Sequence, residues 1–336
     1  MRVAIVGGGV SGSYLANLLS ERHEVTVFEQ QPDDRFFTVC AWGTSVHELR
    51  KLAGRIGLNF DDYIFFEGRR MIVDLWDSEM EIPLKGLCTF DKRRFVTDMH
   101  RSIEVVYGHK VVREPPSGYD LIVDATGFHR ALLPRLERDY YIPTLEYKVF
   151  YDNPPYEDFY IKPIPGLSGY LWYFPLGDGV AHVGAGDYYK KHIGVLNSFM
   201  EGGRGEVAMR IGRPVRIAPP HLCRPMSLGP VYGVGESIGT VYPVLGEGII
   251  PGMQCAAILA EHINEEKLED YERTVLRKFR VYFDAFNFVK KKIKKEFSWF
   301  RDWPVVLKPF IHMKINEDRY GMHIRLRDWI RLISKI

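Results

Sequence analysis

The chain begins with a short apolar run, Val3 to Val6, then glycines, then a stretch in which Leu15, Leu18 and Leu19 recur at helical spacing, and then a second apolar run, Val25 to Phe28. Short apolar runs bounded by turn residues predict buried strands, and the helical spacing between them predicts a helix packed along one face. Strand, helix, strand in that order is the start of a parallel α/β sheet. A helical pattern, TSVHELRKLAGRIGL, and a strand candidate, EGRRMIVDLWD, follow within residues 36–87. Between about 131 and 221 the chain is Pro-studded and alternating, with TLEYKVFYD, FYIKPIPG and GYLWYFPLGDGVAHVGAG, which predicts an antiparallel sheet. From about 266 onward the pattern is helical.

The last of those strand segments is unusually asymmetric. Its first arm holds Tyr170, Trp172, Tyr173 and Phe174, the turn is Pro-Leu-Gly-Asp-Gly, and the second arm ends on Gly184 and Gly186. Alternation on a strand puts Tyr170, Trp172 and Phe174 on one face and Leu171 and Tyr173 on the other. Gly184 and Gly186 leave room for something to approach the returning strand.

At 336 residues the chain is long enough for about two domains. Its net charge of +2 gives no overall attraction to nucleic acid. The charge is uneven, since Tyr271 to Ile336 carries 17 Lys and Arg against 7 Asp and Glu. Cys40, Cys88, Cys223 and Cys255 lie far apart with no CxxC, so neither a zinc site nor an iron–sulfur cluster is indicated, and no metal is expected. The first strand begins at Arg2 and leaves no room for a leader, and no apolar run approaches the ~18–20 residues of a membrane span. A cytoplasmic protein is expected, one that could still lie on a membrane.

The glycines after the first strand spell Gly7-x-Gly9-x-x-Gly12, with Val10 and Ser11 inside the motif and the helix following. This is the context the dinucleotide fingerprint requires: a tight turn at Gly7, close approach of a pyrophosphate at Gly9, and close helix–strand packing at Gly12. Glu29, followed by Gln30, closes the second strand 22 positions after Gly7, where a carboxylate can accept from ribose hydroxyls and disfavours a 2′-phosphate. Two later segments favour FAD over NAD. GYDLIVDATGF brings Thr126 and Gly127 back against the nucleotide. A second strand ends at Gly235-Glu236, after which Gly246-Glu247-Gly248 and Ile249 open a helix whose free N–H groups can face a flavin's pyrimidine carbonyls.

Taken in this order, these segments resemble the flavoprotein group that includes para-hydroxybenzoate hydroxylase, and within it the geranylgeranyl reductase family. That family is similar in an aromatic-x-Trp-x-Phe-Pro motif followed, after seven or eight residues, by Gly-x-Gly; here Tyr170 to Pro175 is followed by eight residues and then Gly184-Ala185-Gly186. TVCAWGTS places Cys40 and Ala41 where the family has a cysteine beside the flavin, DKRRF resembles its Asp-Arg-x-x-Phe with Lys92 for arginine, and LEDYERTVLRKF resembles its helical tail. Glu236 stands where the family usually has aspartate.

The resemblance implies a Rossmann-like FAD-binding domain (1–35, 88–130 and 222–265), an inserted, mostly antiparallel substrate domain (36–87 and 131–221) and a C-terminal helical, basic region (266–336). It implies an FAD-dependent oxidoreductase that reduces isolated C=C bonds of a polyprenyl lipid or diphosphate by hydride transfer and protonation. Such an alkene develops tertiary cation character, so its site must be dry, apolar and rich in π-faces. Tyr170, Trp172, Phe174, Pro175, Gly184 and Gly186 are the expected substrate wall, with Cys40 beside the flavin. The proton donor stays open among Cys40, Tyr170, an ordered water, His47 and His182. The electron donor is either a ferredoxin-like protein or NAD(P)H. The alternatives are a flavin monooxygenase or halogenase, although no Trp-x-Trp-x-Ile-Pro motif is present, and a redox-neutral prenyl cyclase or isomerase.

Residues 288–303 join five lysines to Trp299, Phe300 and Trp303, and the basic stretch 288–336 ends on GMHIRLRDWIRLISKI. Two outcomes fit that pattern: peripheral contact with an anionic membrane, or an apolar side packed on the catalytic body with the charges in water.

Overall fold

The computed structural model describes residues 1–38 and 40–335. Its first strand (Arg2–Val6) pairs in parallel with Glu24–Phe28 on one side and Leu121–Asp124 on the other. Glu104–Val106, Val231–Gly233 and an antiparallel edge, Ser227–Leu228, complete a six-stranded sheet. Val3, Ala4, Ile5 and Val123 have no solvent exposure, as befits parallel strands covered on both faces. The helix Val10–Leu19 packs on one of those faces against the longer helix Ile249–Asn264. This is the Rossmann-like α/β arrangement expected from the sequence.

A second sheet has seven strands in the order Gly205–Arg216, Tyr141–Tyr151, Val180–Asp187, Gly169–Gly177, Phe159–Ile164, Arg70–Asp74 and Glu79–Pro83. It is antiparallel throughout except between Phe159–Ile164 and Arg70–Asp74. The aromatic hairpin lies near its middle and turns on Asp178 and Gly179, whose φ angles of 48° and 73° suit a tight hairpin. Leu171, Tyr173, Ala181, Val183 and Ala185 share a core with Leu196 of the helix His192–Gly202. A three-stranded sheet (Gly43–Ser45, Leu87–Phe90 and Ile64–Glu67) joins the two larger ones.

The C-terminal region is helical, with Tyr271–Lys278, Arg280–Ile293, Trp299–Ile315 and Leu326–Lys335. Its apolar side turns inward: Ile324, Trp329 and Ile333 are buried, and Trp329 packs against Phe288 and Phe310. Part of the lysine run is used internally. Lys291 pairs with Asp302, Lys292 donates to the Ile333 carbonyl, and Lys290 lies over the Tyr140 ring. No helix among the described residues is long and apolar enough to cross a membrane.

Replacing Trp329 by alanine removes the indole that anchors the last helix and leaves a cavity, which is expected to cost roughly 3–5 kcal/mol. Urea denaturation measures this, and an unchanged midpoint would show that the helix is held by other contacts.

Candidate functional site

The glycine loop is shaped by contacts that forbid side chains. A Cβ on Gly12 would stand 2.0 Å from the Gly7 carbonyl oxygen, and one on Gly7, whose φ is +109°, would stand 2.4 Å from the Ala125 oxygen. A Cβ on Gly9 would meet nothing within 4 Å, because Gly9 faces an open cavity. Behind the loop, Ser13 donates to the Gly8 carbonyl at 2.9 Å, and the buried His100 ring lies 2.8 Å from Ser13 Oγ and 2.7 Å from the Tyr107 hydroxyl. Burial pushes the His100 pKa down and keeps the ring neutral beside the loop. In front of it, Glu29 accepts from the Gly8 and Gln31 backbone N–H groups, each at 2.8 Å, while lining the cavity.

Asp124, fully buried at the end of its strand, organises the next segment. It accepts from Thr126 N and Oγ1 and from the N–H groups of Leu132 and Leu133, which fixes Thr126 and Gly127 at the cavity edge. Glu236 accepts from Arg216 N at 2.8 Å and lies 3.4 Å from Arg213 Nη2. The extra methylene of this glutamate is taken up by those two arginines. Glu247 Oε1 accepts from Ile250 N at 2.9 Å and caps the helix Ile249–Asn264, and its Oε2 accepts from Arg319 Nη2 at 2.8 Å. Burial raises the Glu247 pKa, and Arg319 opposes that rise.

Between these segments and the seven-stranded sheet lies a cavity of about 1090 Å³. Ligand pockets typically span about 300–1,000 Å³, so this one exceeds the needs of a single drug-sized molecule. Tyr170, Trp172, Phe174, Ile142, Thr144 and Glu146 line it from the sheet. Tyr170 donates to the Leu245 carbonyl at 2.5 Å, which ties the hairpin to the loop before the capped helix. Burial also pushes the Tyr170 pKa up, so its proton is firmly held. Cys40 lines the cavity too, and its carbonyl lies 3.1 Å from His182 Nδ1. The fourth side is the C-terminal region, through Met313, Arg319, Met322, Ile324, Trp329 and Leu332.

Comparison with known proteins agrees with this geometry. Residues 5–34 match the NAD(P)-binding Rossmann-like domain. A digeranylgeranylglycerophospholipid reductase of Methanopyrus kandleri is 27% identical over 80% of this chain and 81% of its own. A geranylgeranyl bacteriochlorophyll reductase-like structure from Thermoplasma acidophilum superposes with a TM-score of 0.77 at 17% identity, covering 99% of this chain and 95% of that one. The fold is shared more distantly with a probable FAD-dependent monooxygenase from Pseudomonas aeruginosa, with a TM-score of 0.63, 14% identity and coverage of 88% and 97%. The chain resembles the geranylgeranyl reductases in sequence and in fold.

For a geranylgeranyl reductase-like chain, most residues singled out from the sequence converge on one space. Gly7, Gly9, Val10, Ser11, Glu29, Gln30, Cys40, Ala41, Lys92, Thr126, Gly127, Glu236 and the run Gly246 to Ile249 all border the cavity, as do Tyr170, Trp172, Phe174 and Gly186. Gly12, Gly235, Pro175 and Gly184 do not. Gly12 and Gly235 serve packing, since a Cβ on Gly235 would stand 2.5 Å from Ser11 Oγ. The Pro175 carbonyl accepts from Thr89 Oγ1. The gap expected at Gly184 is filled by the hairpin itself, because a Cβ there would stand 2.3 Å from the Trp172 ring. The four cysteines are free.

Sequence reasoning missed Glu146, Arg213 and the C-terminal wall. Glu146 follows the alternation of a strand that was predicted, but its importance depends on register with the hairpin. Arg319 sits in a segment whose sequence signals only a basic, amphipathic helical region.

Behind Arg319, His312 packs against Tyr242 and Tyr320. Burial, together with the charges of Arg319 and Lys278, pushes its pKa down to about 4. An unfolded histidine takes up its proton near ~6.5, so the unfolded state binds more protons between those values and stability falls as pH is lowered through that window. Replacing His312 by asparagine should flatten the fall. Urea midpoints at neutral and mildly acid pH measure this, and identical pH slopes in the two proteins would remove His312 from the account.

Proposed function

We propose that this protein is an FAD-dependent reductase of isolated C=C bonds in a polyprenyl chain. The observation that carries the reading is a single large cavity with a dinucleotide-type glycine loop at one end and an apolar, aromatic sheet face at the other. The polar groups at the first end fit FAD: Gly9 through Ser11 for the pyrophosphate, Glu29 for the adenosine ribose, Lys92, Thr126, Gly127 and Glu236 along the middle, and the capped helix start at Gly248 and Ile249 for the pyrimidine edge. When bound and reduced, the flavin supplies hydride.

The chain's own residues do the rest. Trp172, Tyr170 and Phe174 present ring faces to a cation that develops on the alkene, each worth about 0.5–2 kcal/mol. Ile142, Ile161, Met71 and Met80 supply the apolar part of that wall and limit the water that would trap the cation. Tyr170 holds the hairpin against the Leu245 loop, so the wall is rigid where charge appears. The name borne by the Methanopyrus kandleri relative suggests a geranylgeranyl chain on a glycerophospholipid. Electrons come from a ferredoxin-like protein or from NAD(P)H.

Protein reduced with dithionite under nitrogen and given a geranylgeranyl lipid is expected to add two hydrogens per double bond, read by mass spectrometry, with Trp172→Ala losing most of this turnover while retaining its flavin. An unchanged mass would indicate cyclisation or isomerisation. A product formed only with oxygen would favour the monooxygenase reading, which the shared fold keeps open.

A lipid substrate also makes membrane contact useful. The helix Trp299–Ile315 exposes Phe300, Trp303, Ile311 and Ile315 beside Arg301, Lys308 and Lys314, an interfacial pattern that differs from the buried side of the last helix. Sedimentation with phosphatidylglycerol vesicles should exceed that with phosphatidylcholine, and the double variant Phe300→Ser, Ile315→Ser should weaken it roughly tenfold. Equal sedimentation of variant and parent would remove this face from consideration.

A further inference from the structure

Resting on the reductase reading, we propose that Glu146 is the acid that protonates the alkene, held in place by His182. Three strands set up the arrangement. Trp172, Gly184 and Glu146 are register partners in one row across the sheet, so Trp172 and Glu146 lie on the same face, two strand spacings or about 10 Å apart at the backbone. Gly184 between them carries no side chain, and the indole of Trp172 leans over it toward Glu146. The largest aromatic of the wall and a carboxyl group thus border the same part of the cavity.

The carboxyl is unusual in its surroundings. Glu146 is 3% exposed, and neither of its oxygens accepts a hydrogen bond. A buried carboxyl that accepts no hydrogen bond is not committed to the surrounding protein, which leaves it available to what the cavity holds. The neighbour at hand is His182, fully buried, whose Nδ1 is 3.0 Å from Glu146 Oε1 while its hydrogen-bond geometry is directed at the Cys40 carbonyl. The ring is clamped by Trp42, with centroids 4.7 Å apart, and Trp42 sits in the left-handed region at a φ of 59°. A strained residue held beside a buried ionisable pair belongs to a working site more often than to a filler core. Of the acids considered from the sequence, Tyr170 has committed its proton to Leu245 and His47 does not border the cavity; Glu247, another carboxyl on the cavity, is held by Arg319 and by its own helix.

The step balances as follows. The O–H bond of neutral Glu146 breaks as its proton bonds to the less substituted alkene carbon, using the π electron pair, and the more substituted carbon becomes a tertiary cation. The hydride that completes the reduction, two electrons and a proton, would come to that carbon from reduced flavin bound in the same cavity. Glu146 is left as a carboxylate beside His182 and regains its proton from solvent between turnovers.

The test begins with binding to oxidised protein, without turnover. Two probes are titrated by calorimetry: a geranylgeranyl analogue with a protonated tertiary amine at the cationic carbon, and its neutral all-carbon counterpart. The ammonium probe mimics the state after proton transfer, in which Glu146 is a carboxylate, so Glu146→Gln should weaken it roughly 30-fold and leave the neutral probe within about threefold. His182→Leu should lose the same selectivity, and His182→Asn, which keeps an amide donor near the Nδ1 position, should regain most of it. Under dithionite, Glu146→Gln should lose at least ~100-fold in alkene reduction with its flavin content unchanged. Glu146→Asp, which retains the acid, should fall between and serves if the glutamine variant does not fold.

Equal loss of both probes, or near-normal turnover in Glu146→Gln, would overturn the assignment and leave the reductase reading standing. Parent protein that binds neither probe and reduces no prenyl lipid would overturn both.

Discussion

The pleat of the seven-stranded sheet sends successive side chains to opposite faces, and most of the candidate site follows from that constraint. On one face Leu171, Tyr173, Ala181, Val183 and Ala185 close a small core under the helix His192–Gly202. On the other, Tyr170, Trp172, Phe174, Gly186, Thr144 and Glu146 front the cavity. A shift of one residue in any of the three central strands would exchange these sets and place aromatic and acidic groups in the small core. The extended pairing across Val180–Asp187 fixes the register on both sides at once.

The cavity exists because elements remote in sequence stop short of one another. The glycine loop is narrow where Gly12 meets Gly7 and open where Gly9 looks outward, so close packing and ligand access are separated within six residues. Opposite it, Glu247 accepts from the first turn of the long helix, and its pairing with Arg319 keeps a positive charge from the C-terminal region next to the loop. Polar groups gather at this end and apolar ones at the sheet. That division suits a cofactor rich in phosphate and amide groups and a substrate that has neither along its chain.

The hairpin and the glycine loop were legible because their signals are local: a period of two, a period of three to four, and glycines at fixed offsets. Glu146 was not, although its strand was. Nothing near residue 146 in the chain marks it. Its meaning comes from standing across Gly184 from Trp172, a contact between segments some 26 to 38 residues apart. Gly184 was legible as a gap but assigned to the wrong occupant, because sequence cannot say whether a cleared space is kept for a ligand or filled by a neighbouring indole. His182 was seen as a titratable residue, and only folding placed it between Cys40 and Glu146.

By itself the sequence determined the parallel α/β nucleus, the aromatic hairpin and the amphipathic character of the C-terminal helices, since each depends on spacing within a few turns or one hairpin. Tertiary structure decided what those patterns face. It turned the apolar side of the last helix into the fourth wall of the cavity, left Phe300, Trp303, Ile311 and Ile315 in solvent, and set a buried carboxyl that accepts no hydrogen bond beside the widest aromatic. An amphipathic pattern specifies only that an apolar face needs cover. Whether protein, lipid or ligand provides it is settled by long-range packing, which no local period encodes.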